Sequence, residues 1–259
     1  MTAASEHREP GTSKGVVLIT GASSGLGAEM ARQFAALGYD LALCARRTDR
    51  LETLAEEIRS RTGRRVETAA LDVTDPEAVP AVFHRFADAF GRIDRVVVNA
   101  GLGKGAPLGT GRADANRATA MTNFVAALAQ MEAALEIFRS QGNGHLVLIS
   151  SMTALRGMRK SMTTYAATKA GLAALAEGVR SENIPGVDVS VIYPGYIRSE
   201  MNERVQQKTR FMVDTETGVR SMVEAIEKRR TKAYVPRWPW VPIGVAMRVL
   251  PLSVVRRLT

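Results

Sequence analysis

The stretch GVVLITGASSGLGAEMARQFAALGY, residues 15–39, decides the fold. Its first part, GVVLIT, is a short apolar run that is typical of a buried strand. Its last part, GLGAEMARQFAALGY, has apolar residues at helical spacing and reaches Gly38, where a helix C-cap is expected. Between the two, Gly21, Gly25 and Gly27 have the spacing G-x-x-x-G-x-G. The stretch therefore predicts a strand, a glycine-rich turn and a helix.

The alternation of strands and helices continues along the chain. Further strands are predicted at 40–45, 64–71, 92–101, 144–151, 187–195 and 232–236, and further helices at 48–63, 75–91, 115–141, 161–182 and 215–230. Thr48 or Asp49 is the expected N-cap of the second helix, and Asp75 that of the third, with Pro76 at its first position. Most strands are apolar on both faces, which indicates a parallel sheet between layers of helices. The predicted class is α/β, a Rossmann-type doubly wound parallel sheet of about seven strands with helices on both faces.

Three segments are predicted from composition. Residues 15–236 are expected to form a single domain, because no linker rich in Gly, Ser or Pro divides them. Residues 1–14 are polar and predict a disordered tail with neither a signal peptide nor a membrane anchor. Residues 237–259 form an apolar C-terminal extension that Arg248 and Pro251 interrupt, too broken to span a membrane. We expect it to pack on the body or on a sister subunit, and weak contact with a membrane surface is the alternative.

Charge and cysteine usage limit the partners. The net charge is +9, but the basic residues are scattered and accompany no nucleic-acid-binding motif, so no nucleic-acid partner is predicted. The single cysteine, Cys44, excludes an internal disulfide and a cysteine-based zinc cluster, and no metal site is predicted. The expected location is cytoplasmic, with a position peripheral to a membrane as the alternative.

The glycine-rich turn predicts a nucleotide site. Glycines at these positions allow a tight turn and a close approach to a ligand, while the helix N-terminus offers free N–H groups to a pyrophosphate. Ser23, Ser24 and Leu26 complete this loop.

The end of the second strand indicates which dinucleotide is bound. Proteins that prefer NAD usually place an acid there for the ribose 2′-hydroxyl, whereas this chain has Ala45 followed by Arg46 and Arg47. Guanidinium groups bind a 2′-phosphate well, so the pair favours NADP(H) over NAD. The alternative is two solvated arginines at the start of a helix.

Tyr165 and Lys169 lie four residues apart in YAATK and share one face of a predicted helix. Taken alone, the pair also fits an ordinary exposed helix. A neighbouring ammonium group would favour the phenolate and lower the tyrosine pKa.

Seven motifs in order resemble the short-chain dehydrogenase/reductase family over about residues 15 to 235. They are TGASSGLG at 20–27, LDV at 71–73, NAG at 99–101, Asn123 in the long helix, ISS at 149–151, YAATK at 165–169 and PG at 194–195. The resemblance implies a cofactor groove that adds to the glycine loop and the arginine pair the residues Asp72, Val73, Asn99, Ala100, Gly101, Pro194, Gly195, Ile197 and Ser199. Among them, Asp72 would accept a hydrogen bond from the adenine amine.

The resemblance also implies four catalytic residues. Tyr165 would be the general acid or base, and Lys169 would lower its pKa and bind the nicotinamide ribose. Asn123 would hold a water that connects the lysine to solvent. A serine would hydrogen-bond the substrate oxygen. The family usually places it thirteen residues before the tyrosine, where this chain has Met152. A one-residue offset therefore favours Ser151, with Ser150 as a strand-end residue.

The predicted function is an NADP(H)-dependent oxidoreductase that interconverts a carbonyl and a secondary alcohol by hydride transfer. The alternatives are a 3-oxoacyl reductase acting on carrier-bound or thioester substrates, and a catalytically idle NADP-binding sensor or scaffold. The expected partner is a small carbonyl or alcohol substrate. Because the family commonly associates through the helices that correspond to 116–140 and 162–181, a homotetramer or homodimer is also expected.

Overall fold

The computed structural model describes residues 12–201 and 211–258. Most of the predicted N-terminal tail, and residues 202–210 of the segment after PG, lie outside the described residues. The strands are β1 (Val16–Thr20), β2 (Asp40–Ala45), β3 (Val66–Ala70), β4 (Arg95–Val98), β5 (Gly144–Ile149), β6 (Val187–Pro194) and β7 (Lys232–Val235). All are paired in parallel in one sheet of order β3-β2-β1-β4-β5-β6-β7. The predicted fold class is confirmed.

The helices cover both faces of this sheet. They are α1 (Gly25–Ala36), α2 (Thr48–Thr62), α3 (Ala78–Phe90), α4 (Ala113–Ala120), α5 (Ala126–Gln141), α6 (Thr163–Ser181), α7 (Thr215–Glu227), α8 (Arg237–Val249) and α9 (Leu252–Leu258). Alternate side chains of β1 enter opposite layers, because successive residues of a strand point to opposite faces. Leu18 joins Phe83, Phe138 and the layer of α3, α5, α6 and α8, whereas Ile19 joins Phe34 and the layer of α1, α2 and α7.

The strand order reverses between β1 and β4. The chain moves outward from β1 to β3 on one side and from β4 to β7 on the other. Ligands of open α/β sheets bind in the crevice beyond the carboxyl ends of the two strands at such a point. The glycine loop follows β1 and the NAG motif follows β4, so both meet at this crevice.

The predicted starts of α2 and α3 differ from the structure. Thr48 is the first residue of α2 rather than its cap. Arg47 takes the N-cap position, and its side chain makes no capping hydrogen bond to the first turn of the helix. α3 begins two residues later than expected, at Ala78. Asp75 still accepts hydrogen bonds from the N–H groups of Glu77 and Ala78, at 3.1 and 3.2 Å, so it stabilises the turn that precedes the helix.

The predicted long helix at 115–141 contains a π-helical turn. Residues Met121–Val125 join α4 to α5 in π geometry, and they include Asn123. Wide turns of this kind commonly occur at functional sites.

The C-terminal extension packs on the body through one face of α8. Trp240 and Met247 are buried in the layer formed by α3, α5 and α6. Val249 lies on the opposite face and is 74% exposed, and Trp238, whose backbone is not helical and kinks α8, is 77% exposed. Within the described residues, no helix is both long and apolar enough to cross a bilayer.

Candidate active site

One cleft of about 290 Å³ lies above the carboxyl ends of the strands. Every predicted site residue except Asn123 lines it: Gly21, Ser23, Ser24, Gly25, Leu26, Gly27, Arg46, Arg47, Asp72, Val73, Asn99, Ala100, Gly101, Ser151, Tyr165, Lys169, Pro194, Gly195, Ile197 and Ser199. Residues from six strand ends and two helices therefore converge on a single space.

The glycine loop has a backbone that side chains would disrupt. Gly21 and Gly25 have φ values of 65° and 54°, in the left-handed region that favours glycine. A Cβ atom on Gly27 would lie 2.4 Å from the Gly21 carbonyl oxygen and 2.7 Å from Nδ2 of Asn99. The loop thus packs tightly against the end of β4 and leaves its outer surface to the cleft. This cradle fits the diphosphate of a dinucleotide.

Asn99 ties the two central strands together at the cleft. Its Nδ2 donates to the carbonyl oxygen of Thr20 at 2.9 Å. The Thr20 hydroxyl accepts from the N–H groups of Asn99 and Ala100, both at 3.1 Å. These bonds keep the glycine loop and the NAG motif in a fixed relation.

The two predicted arginines have different neighbours. Arg46 is mostly exposed and lies 3.9 Å from a carboxylate oxygen of Asp72. The hydrogen bond from the Thr74 backbone is the main cause that lowers the pKa of Asp72, so this carboxylate is ionised. Arg47 turns toward the glycine loop and donates to Ser23 at 3.2 Å and to Ser24 at 2.5 Å.

Ser151 and Tyr165 meet at the opposite end of the cleft. Ser151 begins a short 3₁₀ turn, Met152–Leu155, and its hydroxyl accepts from the N–H and the hydroxyl of Thr153, at 3.2 and 3.0 Å. Tyr165 is half-buried. Burial raises the pKa of Tyr165, and a hydrogen bond with Ser151 partly opposes this shift. Burial is the larger of the two effects. The lowering of the tyrosine pKa by Lys169 in the presence of the cofactor stays a prediction.

Lys169 is buried beneath the tyrosine. Its Nζ lies 5.9 Å from the centre of the Tyr165 ring and donates to the carbonyl oxygen of Ile149 at 2.8 Å. Burial lowers the pKa of Lys169 to about 8, which leaves it mainly protonated at neutral pH. The lysine is one helical turn from the tyrosine, as the spacing predicts.

Ser150 has a structural contact. Its hydroxyl donates to the backbone carbonyl of Lys169 at 2.9 Å, and the residue is 3% exposed. This bond ties the end of β5 to α6. Of the two serines, Ser151 is the one hydrogen-bonded to Tyr165.

Asn123 lies behind the cleft, 1% exposed. Its Oδ1 accepts from the N–H of Leu102 at 2.7 Å, and its Nδ2 donates to the carbonyl of the same residue at 2.8 Å. A Cβ atom on Gly101 would lie 3.2 Å from this Oδ1 and 3.6 Å from Nζ of Lys169. The asparagine thus fixes the loop after β4 next to the lysine, and its role in holding a water stays a prediction.

Three residues at the cleft escaped the sequence analysis. Arg50 donates to Glu200 at 2.5 Å, and its position three residues after Arg47 on a predicted helix was an available signal. Glu200 also accepts from Arg47 at 3.1 Å. Trp240 of α8 covers Gly195, where a Cβ atom would lie 2.0 Å from the indole ring. The contacts of Glu200 and Trp240 have no counterpart in local sequence, because they join distant segments.

Comparisons with known proteins show the family of the chain. Residues 15–210 match the family model described as short chain dehydrogenase. An uncharacterized oxidoreductase of Mycobacterium tuberculosis is 52% identical over 249 residues, covering 95% of this chain and 98% of that protein.

Solved structures show the same fold. A short-chain dehydrogenase from Sphingobium yanoikuyae in complex with NADPH has a TM-score of 0.79 and 28% identity, covering 92% of this chain and 97% of its own. A short-chain dehydrogenase/reductase from Burkholderia phymatum in complex with NAD has a TM-score of 0.81, covering 96% and 97%; at 22% identity it supports the fold alone. The chain belongs to the short-chain dehydrogenase/reductase family of oxidoreductases.

Proposed function

We propose that the protein is an NADP(H)-dependent oxidoreductase that interconverts a carbonyl and a secondary alcohol. The observation that carries this proposal is one cleft lined by Ser151, Tyr165 and Lys169 at one end and by Arg46 and Arg47 at the other. β2 ends at Ala45, where an NAD-preferring protein would place an acid to hold the ribose 2′-hydroxyl. The NADPH complex of the Sphingobium relative supports the preference for the phosphorylated cofactor.

Each end of the cleft has a separate task. The glycine loop would hold the diphosphate at the N-terminus of α1, and Arg46 and Arg47 would face the 2′-phosphate. Lys169 would hold the nicotinamide ribose hydroxyls. The cofactor supplies or accepts the hydride. Pro194 and Gly195 would border the nicotinamide and position it beside the tyrosine.

Proton transfer would involve Tyr165. In reduction, its hydroxyl donates a proton to the substrate oxygen, and in oxidation the phenolate accepts one. The Ser151 hydroxyl donates a hydrogen bond to the substrate oxygen as negative charge develops there. The general acid in reduction is protonated Tyr165, and burial, which raises its pKa, favours that form. The ammonium group of Lys169 would stabilise the phenolate once the proton has left.

The Tyr165→Phe variant tests the mechanism. We expect turnover to fall by at least about 10²-fold, the usual contribution of general acid–base catalysis. NADPH binding, measured by fluorescence titration, should change little, because the ring remains. Wild-type turnover in this variant would refute the role of the tyrosine. Loss of both turnover and binding would indicate a damaged cofactor site instead.

The preference for NADP(H) has its own test. Replacing Arg46 and Arg47 together by alanine should weaken NADPH binding far more than NADH binding. Each charge-assisted hydrogen bond lost is worth about 1.5–3 kcal/mol. Equal losses for the two cofactors would contradict the assignment.

A substrate panel separates the alternative activities. Oxidation of NADPH with acetoacetyl thioesters, but not with free ketones, would identify a 3-oxoacyl reductase. NADPH binding without turnover of any carbonyl would favour a sensor or scaffold. The catalytic set of Ser151, Tyr165 and Lys169 in one cleft favours an enzyme, because a binding module has no need for it.

The surface proposals concern assembly and membranes. A homodimer or homotetramer is proposed, and sedimentation would determine the state. A weak membrane contact through 237–259 is also proposed, since Trp238, Val245 and Val249 of α8 are exposed apolar residues. Flotation of the full chain with anionic vesicles, compared with a Trp238→Ser variant, tests it. A cytoplasmic location stays a prediction.

A further inference from the structure

We propose that the Glu200 carboxylate competes with the cofactor 2′-phosphate for Arg47 and Arg50, and so sets how strongly the protein selects NADP(H). The inference rests on the proposed function and goes beyond it. It adds Arg50 to the arginine end of the cleft and gives an acidic residue a negative role in cofactor binding.

The carboxylate of Glu200 lies between two guanidinium groups. One oxygen accepts from Nη1 of Arg47 at 3.1 Å, and the other accepts from Nη1 of Arg50 at 2.5 Å. Arg47 simultaneously donates to Ser24 of the glycine loop at 2.5 Å. Glu200 therefore neutralises the cationic group nearest to the loop that would hold the cofactor.

A carboxylate and a phosphate bind guanidinium groups in the same way, through charge-assisted and often bidentate hydrogen bonds. A 2′-phosphate at these arginines would meet the negative charge of Glu200 and would have to replace it. The 2′-hydroxyl of NAD(H) carries no charge and gains little from either arginine. The competition consequently acts on NADP(H) alone.

The chain around Glu200 keeps the carboxylate in this position. The N–H of Arg198 donates to Val213 at 3.0 Å, and the N–H of Val213 donates to Tyr196 at 3.1 Å. On the other side, Met201 packs on Gly103, where a Cβ atom would lie 2.8 Å from Cγ of Met201. The backbone at Glu200 is flanked by these contacts, so release of the carboxylate needs only a rotation of the side chain.

The strength of the competition follows from exposure. The side chains of Glu200, Arg47 and Arg50 are 43%, 42% and 46% exposed, so both ion pairs are well solvated. Exposed pairs contribute about 0.2–1 kcal/mol each. Loss of both pairs therefore corresponds to about 0.4–2 kcal/mol, and since 1.4 kcal/mol is tenfold in affinity, we expect removal of the carboxylate to tighten 2′-phosphate binding by about two- to thirtyfold.

The test is equilibrium binding to Glu200→Gln, which keeps the side-chain length and removes the charge. The probes are NADPH and NADH by fluorescence, and 2′,5′-ADP and 5′-ADP by calorimetry. We expect tighter binding of NADPH and 2′,5′-ADP, by about two- to thirtyfold, with NADH and 5′-ADP unchanged. Glu200→Ala should act in the same direction.

Glu216→Gln is the matched control. Glu216 is an exposed acid on α7 that pairs with Arg220 at 3.0 Å, and the substitution makes the same change in net charge. It should leave all four affinities unchanged. An equal gain in this control would overturn the proposal, because the effect would then come from the overall charge.

The remaining outcomes separate the two proposals. If Arg47→Ala weakens NADPH binding but Glu200→Gln does not strengthen it, the competition is refuted while the NADP(H) preference stands. If the wild type binds NADPH and NADH with equal affinity, and the Arg47→Ala variant does so too, both proposals are overturned.

Discussion

The contact between Gly195 and Trp240 predicts that the C-terminal extension supports the cleft. A Cβ atom on Gly195 would lie 2.0 Å from Cε2 and 2.1 Å from Nε1 of the indole. Trp240 is only 6% exposed, so its ring has little room to withdraw. The backbone of Gly195 has no positive φ, and the steric clash is therefore the main obstacle to alanine.

We expect Gly195→Ala to lower the free energy of unfolding by about 1–3 kcal/mol, the usual cost of overpacking a core. In a Trp240→Leu background the obstructing indole is gone, and the same substitution should cost less than about 0.5 kcal/mol. The difference is the coupling energy of a double-mutant cycle, which commonly reaches about 0.5–3 kcal/mol for residues in contact.

Urea unfolding of the four proteins of this cycle measures the effect. Gly178→Ala is the control, because Gly178 lies within α6 and a Cβ atom there would have no neighbour within 4 Å. This variant should be more stable by about 0.5–1 kcal/mol, as glycine is unfavourable inside a helix. If Gly195→Ala costs the same with and without the indole, the inferred clash is refuted.

The remaining predictions concern the two serines, one glycine of the cofactor loop and a buried histidine. Ser151→Ala should lower turnover by about 10²–10³-fold, as loss of a donor to a developing oxyanion does. Ser150→Ala should instead lower the free energy of unfolding by about 1–3 kcal/mol, because the Ser150 hydroxyl donates to a buried carbonyl group. Loss of turnover in Ser150→Ala and loss of stability in Ser151→Ala would exchange the two roles. Gly27→Ala should weaken NADPH binding by at least about tenfold in a fluorescence titration, since its Cβ would meet the Gly21 carbonyl at 2.4 Å; unchanged affinity would contradict the cradle. Burial lowers the pKa of His145 from 6.5 to about 3, so the unfolded chain binds a proton that the native protein excludes. Stability should therefore fall as pH drops from about 6.5 toward 3, and His145→Gln should reduce this slope by up to about 1.4 kcal/mol per pH unit; an unchanged slope would exclude His145 as its origin.

Much of the fold followed from periodicity. The strands, and the layers of helices on both sides, were evident because parallel strands buried on both faces are continuously apolar. Helix starts were less predictable. Thr48 and Asp75 have the side chains of N-caps, but a cap is decided by backbone geometry, and α2 begins one residue and α3 two residues away from the expected positions.

Parts of the candidate site were predictable where the spacing of residues within a short motif sets the local geometry. The four-residue spacing of Tyr165 and Lys169 guarantees a shared helix face, and the glycine spacing requires a tight turn. Ser151 needed an offset from the usual spacing, and the structure brings it to the tyrosine through the 3₁₀ turn that follows it.

By itself, the sequence determined the alternation of strands and helices along the chain as far as β7, the residues of the glycine loop, and the pair of Tyr165 and Lys169 on α6. These are local properties, because they depend on periodicity and on spacings within one or two turns. Only the tertiary structure decided that Glu200 pairs with Arg47, 153 residues away in the chain. It also decided that the pKa of Tyr165 rises, because the burial that causes the rise depends on how distant segments pack.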